Sequence, residues 1–382
     1  MNRIPEGFAR MLEEAVGASH AAAALQALER PASVSIRLNP SHLTECPFPD
    51  ATPVPWSPYG YLLKERPVFT LDPLFHAGCY YVQDSSAMMV GHMARQFMDR
   101  PHMTVLDLCA APGGKTTDLA ASLRERFGGD FTLLANEVMR KRYALLRSNV
   151  GTWADPCVGT VSRDPSAFGS TPVFDLVVAD VPCSGEGMFR KDAQAVAEWS
   201  PETVAFCAAR SRRIVADIWP ALNPGGILVF STCTFNAQEN DDTVSWIAET
   251  LGASVVTPPA PEPALRTRLG CLMLPGLVPG EGQYVAVLRK DGTSDGIRRA
   301  DPFVLFRPER PVAPAPEDLP RRDVPLEVAL RYLHGDALVL PDAPLGLLGI
   351  CYQGHLLGPA KNVGKRCNNL YPKEKRIRMD VP

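Results

Sequence analysis

The sequence predicts an α/β protein built on a doubly wound, Rossmann-like sheet, and three observations carry that expectation. Apolar, β-rich runs at 104–109, 131–136, 157–161, 174–180, 227–232 and 283–288 alternate with amphipathic stretches at 116–126, 139–149, 201–222 and 238–251. Such alternation describes strands of a parallel sheet with helices on both faces. The first run passes directly into a loop of small residues, Ala110, Ala111, Gly113 and Gly114, and then into a helix start. Titratable side chains collect where successive runs end, at Glu137, Asp164 and Asp180, and that is the edge at which a doubly wound sheet binds its ligands.

The flanks read differently. Residues 11–28 are alanine-rich with helical spacing and 33–38 alternate like a strand, which makes 1–75 a small α+β cap before the main domain at 76–290. Prolines crowd 257–263 and 307–320. Lacking an amide donor, proline continues neither helix nor inner strand, so these stretches are expected as a connection and as part of a Pro-rich linker over 291–320. Short apolar segments at 326–333, 337–340 and 347–352, punctuated by Gly and Pro, predict a small, mostly β module over 321–382. A length of 382 residues with 46% apolar content suits one large domain with such attachments.

No run of about 18 apolar residues occurs, and the start, MNRIPEGFARMLEE, lacks the apolar core of a secretory signal, so a soluble, cytoplasmic protein is expected, taken as a monomer. Ten cysteines are scattered singly without a C-x-x-C pair, so neither a metal nor a disulfide framework is expected from spacing. A net charge of −3 is not that of a protein coated in base. Distribution matters more: from 361 to 378 there are seven basic residues, Lys361, Lys365, Arg366, Lys373, Lys375, Arg376 and Arg378, against the single acid Glu374. That concentration predicts a local field that attracts phosphates.

The chemistry is expected at the strand ends. The loop from Cys109 to Lys115 lets backbone approach a ligand closely and offers the free amides of a helix N-terminus, but its spacing is not that of a phosphate-binding GxxxxGK[ST] loop. Glu137 stands where such folds place an acid for ribose hydroxyls. Two further segments, Asp180-Val181-Pro182-Cys183-Ser184-Gly185 and Ser231-Thr232-Cys233-Thr234, leave the same edge and bring two thiols and an acid into one cleft. Cysteines at 79, 109, 157, 207 and 271 read as packed small hydrophobes. Cys183 and Cys233, in polar, glycine-bearing contexts, read as reactive, and spacing does not choose between them as nucleophile.

Together, DLCAAPGGKTT (107–117), ANE with the later Arg142 (135–142), ADVPCSGEGMFRKD (179–192) and STCTFNAQEN (231–240) resemble the Sun-type RNA cytosine-C5 methyltransferases, in their bacterial ribosomal-RNA branch. Weaker similarity extends to IRLNP (36–40) and GCYYVQDSSAMM (78–89). The resemblance implies a methyltransferase sheet and S-adenosylmethionine bound by Cys109, Ala110, Ala111, Pro112, Gly113, Gly114, Lys115, Glu137, Arg142, Asp164 and Asp180. It implies Cys233 as the nucleophile that adds to cytosine carbon 6 and Cys183 as the cysteine of product release, whereas DNA cytosine methyltransferases use the cysteine of the Pro-Cys pair. Asp180, protonated or sharing a proton with ring N3, is expected to neutralise charge there. The basic C-terminal segment resembles the RNA-binding tail of the same enzymes, shortened here. The implied substrate is 16S ribosomal RNA; transfer RNA, or an inactive RNA-binding assembly factor, are the alternatives.

Overall fold

The computed structural model describes residues 4–293, 300–311 and 319–381. At the N-terminus, the helix expected over 11–28 is two helices, α1 (Phe8–Val16) and α2 (Ala18–Leu28), broken at Gly17 with φ +79°. Only a residue without a Cβ takes that conformation cheaply, and periodicity does not report it. There follow β1 (Val34–Leu38), β2 (Thr52–Pro53), β3 (Gly60–Leu63), the short α3 (Pro73–His76) and β4 (Tyr80–Val82). The strands form an antiparallel sheet in the order β2-β3-β1-β4. Strand β4 lies past 75, the expected end of this unit, and pairs with β1 through Ile36–Val82 and Leu38–Tyr80.

Then come α4 (Met88–Arg95), β5 (Met103–Asp107), α5 (Gly114–Phe127), β6 (Phe131–Asn136), α6 (Arg140–Trp153), β7 (Val158–Val161) and β8 (Phe174–Asp180). After these the chain forms α7 (Ala193–Glu198), α8 (Pro201–Ile218), β9 (Leu222–Thr232), α9 (Asp241–Leu251), β10 (Ala253–Val256), β11 (Leu265–Arg266), β12 (Cys271–Met273) and β13 (Gln283–Lys290). They build a nine-stranded sheet in the order β11-β12-β13-β9-β8-β5-β6-β7, with β10 on β13. β5 through β9 run parallel and β13 antiparallel to β9.

Burial on both faces explains the continuous apolar runs. Leu106, Val177, Leu228 and Phe230 enter one core, while their chain neighbours Val105, Val178 and Val229 enter the other. Each such side chain contributes about 1.5–3 kcal/mol on leaving water. Neighbouring β5 and β8 mark the point where strand order reverses, so the loops leaving their carboxyl ends open a cleft between them.

Part of the expected linker is structured. The helix α10 (Pro302–Phe306) sets Phe306 against Phe168 and Phe174, and Glu309 bridges Thr160. Segments 294–299 and 312–318 of that linker lie outside the described residues. The C-terminal module holds β14 (Arg321–Asp323), α11 (Leu326–His334), β15 (Gly346–Tyr352), β16 (His355–Asn362) and β17 (Cys367–Asn369), its sheet ordered as numbered. The segment 326–333, expected within a mostly β module, is the helix α11. Its apolar residues Ala329, Leu330 and Leu333 bury at helical spacing and Gly335 closes it. Near 337–340 there is only an isolated bridge, Leu338 to Cys367.

The two small units are not separate. Ile36, Leu74 and Tyr80 share one core with Leu330, Tyr332, Leu333, Ile350 and Leu357. No helix among the described residues is long and apolar enough to cross a membrane.

Candidate active site

The loop after β5 carries three of the expected features. Gly113 takes φ +110° and starts α5, leaving the first-turn amides of that helix unpaired within it. Thr116 Oγ1 donates to Asp107 Oδ2 at 2.6 Å, and Arg142 donates to the Ala111 carbonyl at 2.7 Å and lies 3.3 Å from Glu137 Oε2. Asp107 Oδ1 and Glu137 Oε2 are buried without a hydrogen-bond partner. Burial first, and then the nearby Asp180 and Glu137 charges, push the Asp107 carboxyl up to about 7, against the hydrogen bond from Thr116 and the charge of Lys115. Cys109 sits among the same carboxylates, and burial followed by their charge drives its thiol far up.

This cradle fits S-adenosylmethionine: buried carboxylates suit a sulfonium and an ammonium, orphaned oxygens accept from hydroxyls and amines, and the small loop admits close approach. Asp164 is exposed and spends Oδ1 on Ser166 N and Oγ, at 3.1 and 2.7 Å, as the N-cap of a short turn.

Across the cleft, Lys115 Nζ meets Asp180 Oδ2 at 2.8 Å, while Ser231 Oγ and Gln283 Nε2 donate to Asp180 Oδ1 at 2.8 and 2.9 Å. Burial works against the Lys115 ammonium, yet Asp180, Asp107 and Cys233 beside it hold its basicity above that of an ordinary lysine. Next to this pair the sulfurs of Cys183 and Cys233 stand 3.3 Å apart, both half-buried. The hydrogen bond to Cys233, burial, and the charges of Glu239 and Asp180 keep the Cys183 thiol well above its usual range. Either sulfur can donate across this contact.

Both thiol loops are latched from beneath by two buried glutamates that sequence reading did not single out. Glu239 accepts from Ser184 N at 2.9 Å, Ser184 Oγ at 2.5 Å and Asn236 Nδ2 at 2.9 Å. Glu186 accepts from Phe235 N at 2.5 Å and Trp199 Nε1 at 3.0 Å. Gly187 N donates to the Cys233 carbonyl at 2.8 Å, and a Cβ on Gly187 would stand 2.9 Å from that same oxygen. The only signal available in sequence was that Glu239 and Glu186 fall inside the motifs carrying the two cysteines.

A second missed group is Arg37, fully buried, which donates to Gln83 Oε1 at 2.8 Å, Thr117 Oγ1 at 2.5 Å and the Gly114 carbonyl at 3.2 Å. It joins the N-terminal sheet to the helix of the cofactor loop. Of the basic C-terminal residues, Lys361, Lys365, Arg366, Lys373 and Arg378 are exposed. Lys375 instead donates to Thr152 Oγ1 at 3.0 Å, a contact that docks the module on the body, while Arg376 packs on Gly335 within the module.

Comparison with known proteins agrees with this layout. The family model described as 16S rRNA methyltransferase RsmB/F matches residues 96–289. Models of the N-terminal domain of 16S rRNA methyltransferase RsmF and of the methyltransferase RsmF PUA domain match 4–85 and 321–377. The ribosomal RNA small subunit methyltransferase F of Cronobacter sakazakii is 35% identical over 312 residues, covering 75% of this chain and 63% of its own length. That of Salmonella paratyphi C is 34% identical over 288 residues, covering 70% and 59%. The chain thus spans roughly three-fifths of the length of these relatives. Among solved structures, a methyltransferase homolog from Pyrococcus horikoshii superimposes with TM-score 0.62 at 26% identity, over 74% of this chain and 94% of its own. NSun6 from the same organism, solved with SFG, gives 0.63 at 16% over 76% and 100%, a likeness of fold. With a methyltransferase family model matched over half its length and a carboxylate cradle suited to the cofactor, the chain belongs to the RsmB/F family of S-adenosylmethionine-dependent methyltransferases.

Proposed function

We propose that this chain methylates carbon 5 of a cytosine in 16S ribosomal RNA through a transient bond from Cys233 to carbon 6. The observation that carries the reading is the 3.3 Å contact between Cys183 and Cys233 beside the Lys115–Asp180 pair. Cytosine carbon 5 is a poor nucleophile until a soft nucleophile adds at carbon 6, and a thiolate does this well. The bound cofactor supplies the methyl group from its sulfonium.

In this mechanism Cys183 keeps its proton, while Cys233 gives its own to Asp180 as its electron pair forms the bond to carbon 6. Negative charge then builds towards ring N3. Asp180, backed by the Lys115 ammonium and held by Ser231 and Gln283, passes the proton received from Cys233 to N3, takes it back after methyl transfer and releases it to water. Release requires the carbon 5 proton to leave and the sulfur–carbon bond to break, its electrons returning to Cys233. Cys183 passes its proton to the departing Cys233 sulfur and takes the carbon 5 proton in its place.

The target base has to leave its stack, which costs a few kcal/mol. Exposed Lys361, Lys365, Arg366, Lys373 and Arg378 hold phosphates, and the cleft selects the base. The three units, 1–75, 76–290 and 321–382, act as cap, catalyst and RNA grip. Cys233→Ala is expected to lose both methyl transfer and any covalent RNA species. Cys183→Ala is expected to accumulate a thiol-linked protein–RNA band on a denaturing gel. Swapped outcomes would reverse the two roles, and a methyltransferase needing neither cysteine would be doing other chemistry. Bisulfite sequencing of ribosomal and transfer RNA from cells with and without the gene identifies the substrate class.

A further inference from the structure

Away from the cleft, where the N-terminal unit meets the C-terminal module, His42, Cys79 and His355 converge with their ligand atoms all within 4.8 Å of one another. His42 Nδ1 lies 3.9 Å from Cys79 Sγ, and the two imidazoles stack with centroids 5.8 Å apart at 16°. We propose that this trio is a zinc site that clips the N-terminal unit to the C-terminal module.

Two nitrogens and one sulfur form the donor set of a borderline-soft, tetrahedral ion. Bonds of about 2.0–2.3 Å place tetrahedral nitrogen and sulfur ligand atoms roughly 3.3–3.5 Å apart, so separations of 3.9 to 4.8 Å close by roughly 0.4–1.5 Å on binding. Both backbones that present the ligands are fixed beforehand. Buried Asn39 donates from Nδ2 to the Gly78 carbonyl at 3.0 Å, its N–H to the Cys79 carbonyl at 2.8 Å, and its own carbonyl accepts from His42 N at 2.9 Å. On the other side, Gln353 and Gly354, at φ +49° and +79°, form the tight turn between β15 and β16 that aims His355. No hydrogen bond engages the His355 ring nitrogens among the described residues, so both remain available. Cys79 is buried at the inner end, and the two half-buried imidazoles flank the way in. On binding, the Cys79 thiol gives its proton to solvent as its sulfur takes the metal. The fourth position is left to water.

The site is independent of the methylation chemistry and is tested on the full chain with cobalt(II), then zinc, in a thiol-free reductant. Expected is a one-to-one step that develops sulfur-to-cobalt charge-transfer absorption and the visible bands of a tetrahedral ion, is reversed by zinc, and is accompanied by a zinc-dependent rise in melting temperature. Cys79→Ser is expected to abolish the charge-transfer band. His355→Gln, on a half-buried ring whose loss leaves the metal-free melting temperature unchanged, is expected to weaken binding beyond the roughly 10–100-fold that loss of an outer-shell partner costs. Cys233→Ala is expected to bind as the parent does. Absence of the one-to-one step, bands unchanged in both Cys79→Ser and His355→Gln, or loss of the bands in Cys233→Ala would overturn the site.

Discussion

Under the proposed mechanism, the behaviour of two sulfurs decides the chemistry at the level of single residues. At 3.3 Å, Cys183 and Cys233 stand just over 1 Å beyond a disulfide bond of about 2.05 Å. A mild disulfide oxidant is therefore expected to silence the enzyme, with activity restored by reductant and Cys183→Ala resisting that bridge; peptide mapping of the oxidised chain checks it. Asp107 adds a pH dependence whose sign follows from its shift. Its carboxyl moves from 3.8 to about 7 on folding, so the folded chain holds an extra proton between roughly pH 4 and 7. Stability accordingly falls as pH rises through that window and levels above it. A cationic cofactor prefers the ionised form, so its affinity is expected to rise over the same range and to flatten in Asp107→Asn, as measured by calorimetry across pH.

The thiol loops owe their positions to elements rather than to their own sequence. Gly187→Ala would set a Cβ 2.7 Å from the Glu281 carbonyl and 2.9 Å from that of Cys233, both backbone atoms that cannot swing aside. A loss of about 1–3 kcal/mol is expected in denaturant unfolding, with a fall in methyl transfer that shows as lowered kcat. Sequence revealed the strands at 131–136 and 174–180 to the residue, because burial on both faces makes their apolar runs continuous. It placed the small-residue loop, Asp180 and both cysteines at one sheet edge, where Lys115 of that loop meets Asp180 beside the two sulfurs, because these loops leave neighbouring strand ends. It hid the latches, since Glu239 to Ser184 and Gln283 to Asp180 join residues 55 and 103 apart. It also misread α11, whose nine residues are no longer than many strands.

The N-terminal and C-terminal units behave as one body in the whole molecule. Removing 321–382 would uncover Ile36, Leu74 and Tyr80 along their shared core, so the truncated chain is expected to melt lower and to aggregate, as followed by light scattering. Composition and spacing show no sign of this union, because it joins the two ends of the chain. Arg37 carries the same unity inward: stripped of its guanidinium by Arg37→Met, the buried Asp118 loses one of two cationic neighbours, and a destabilisation of about 3–5 kcal/mol is expected from thermal unfolding. That guanidinium grips both the outer sheet and the first turn of α5. The N-terminal sheet and the start of α5 are thus tied through one buried side chain. Were RNA binding to alter cofactor affinity through Arg37, linkage would require the cofactor to alter RNA affinity by the same factor.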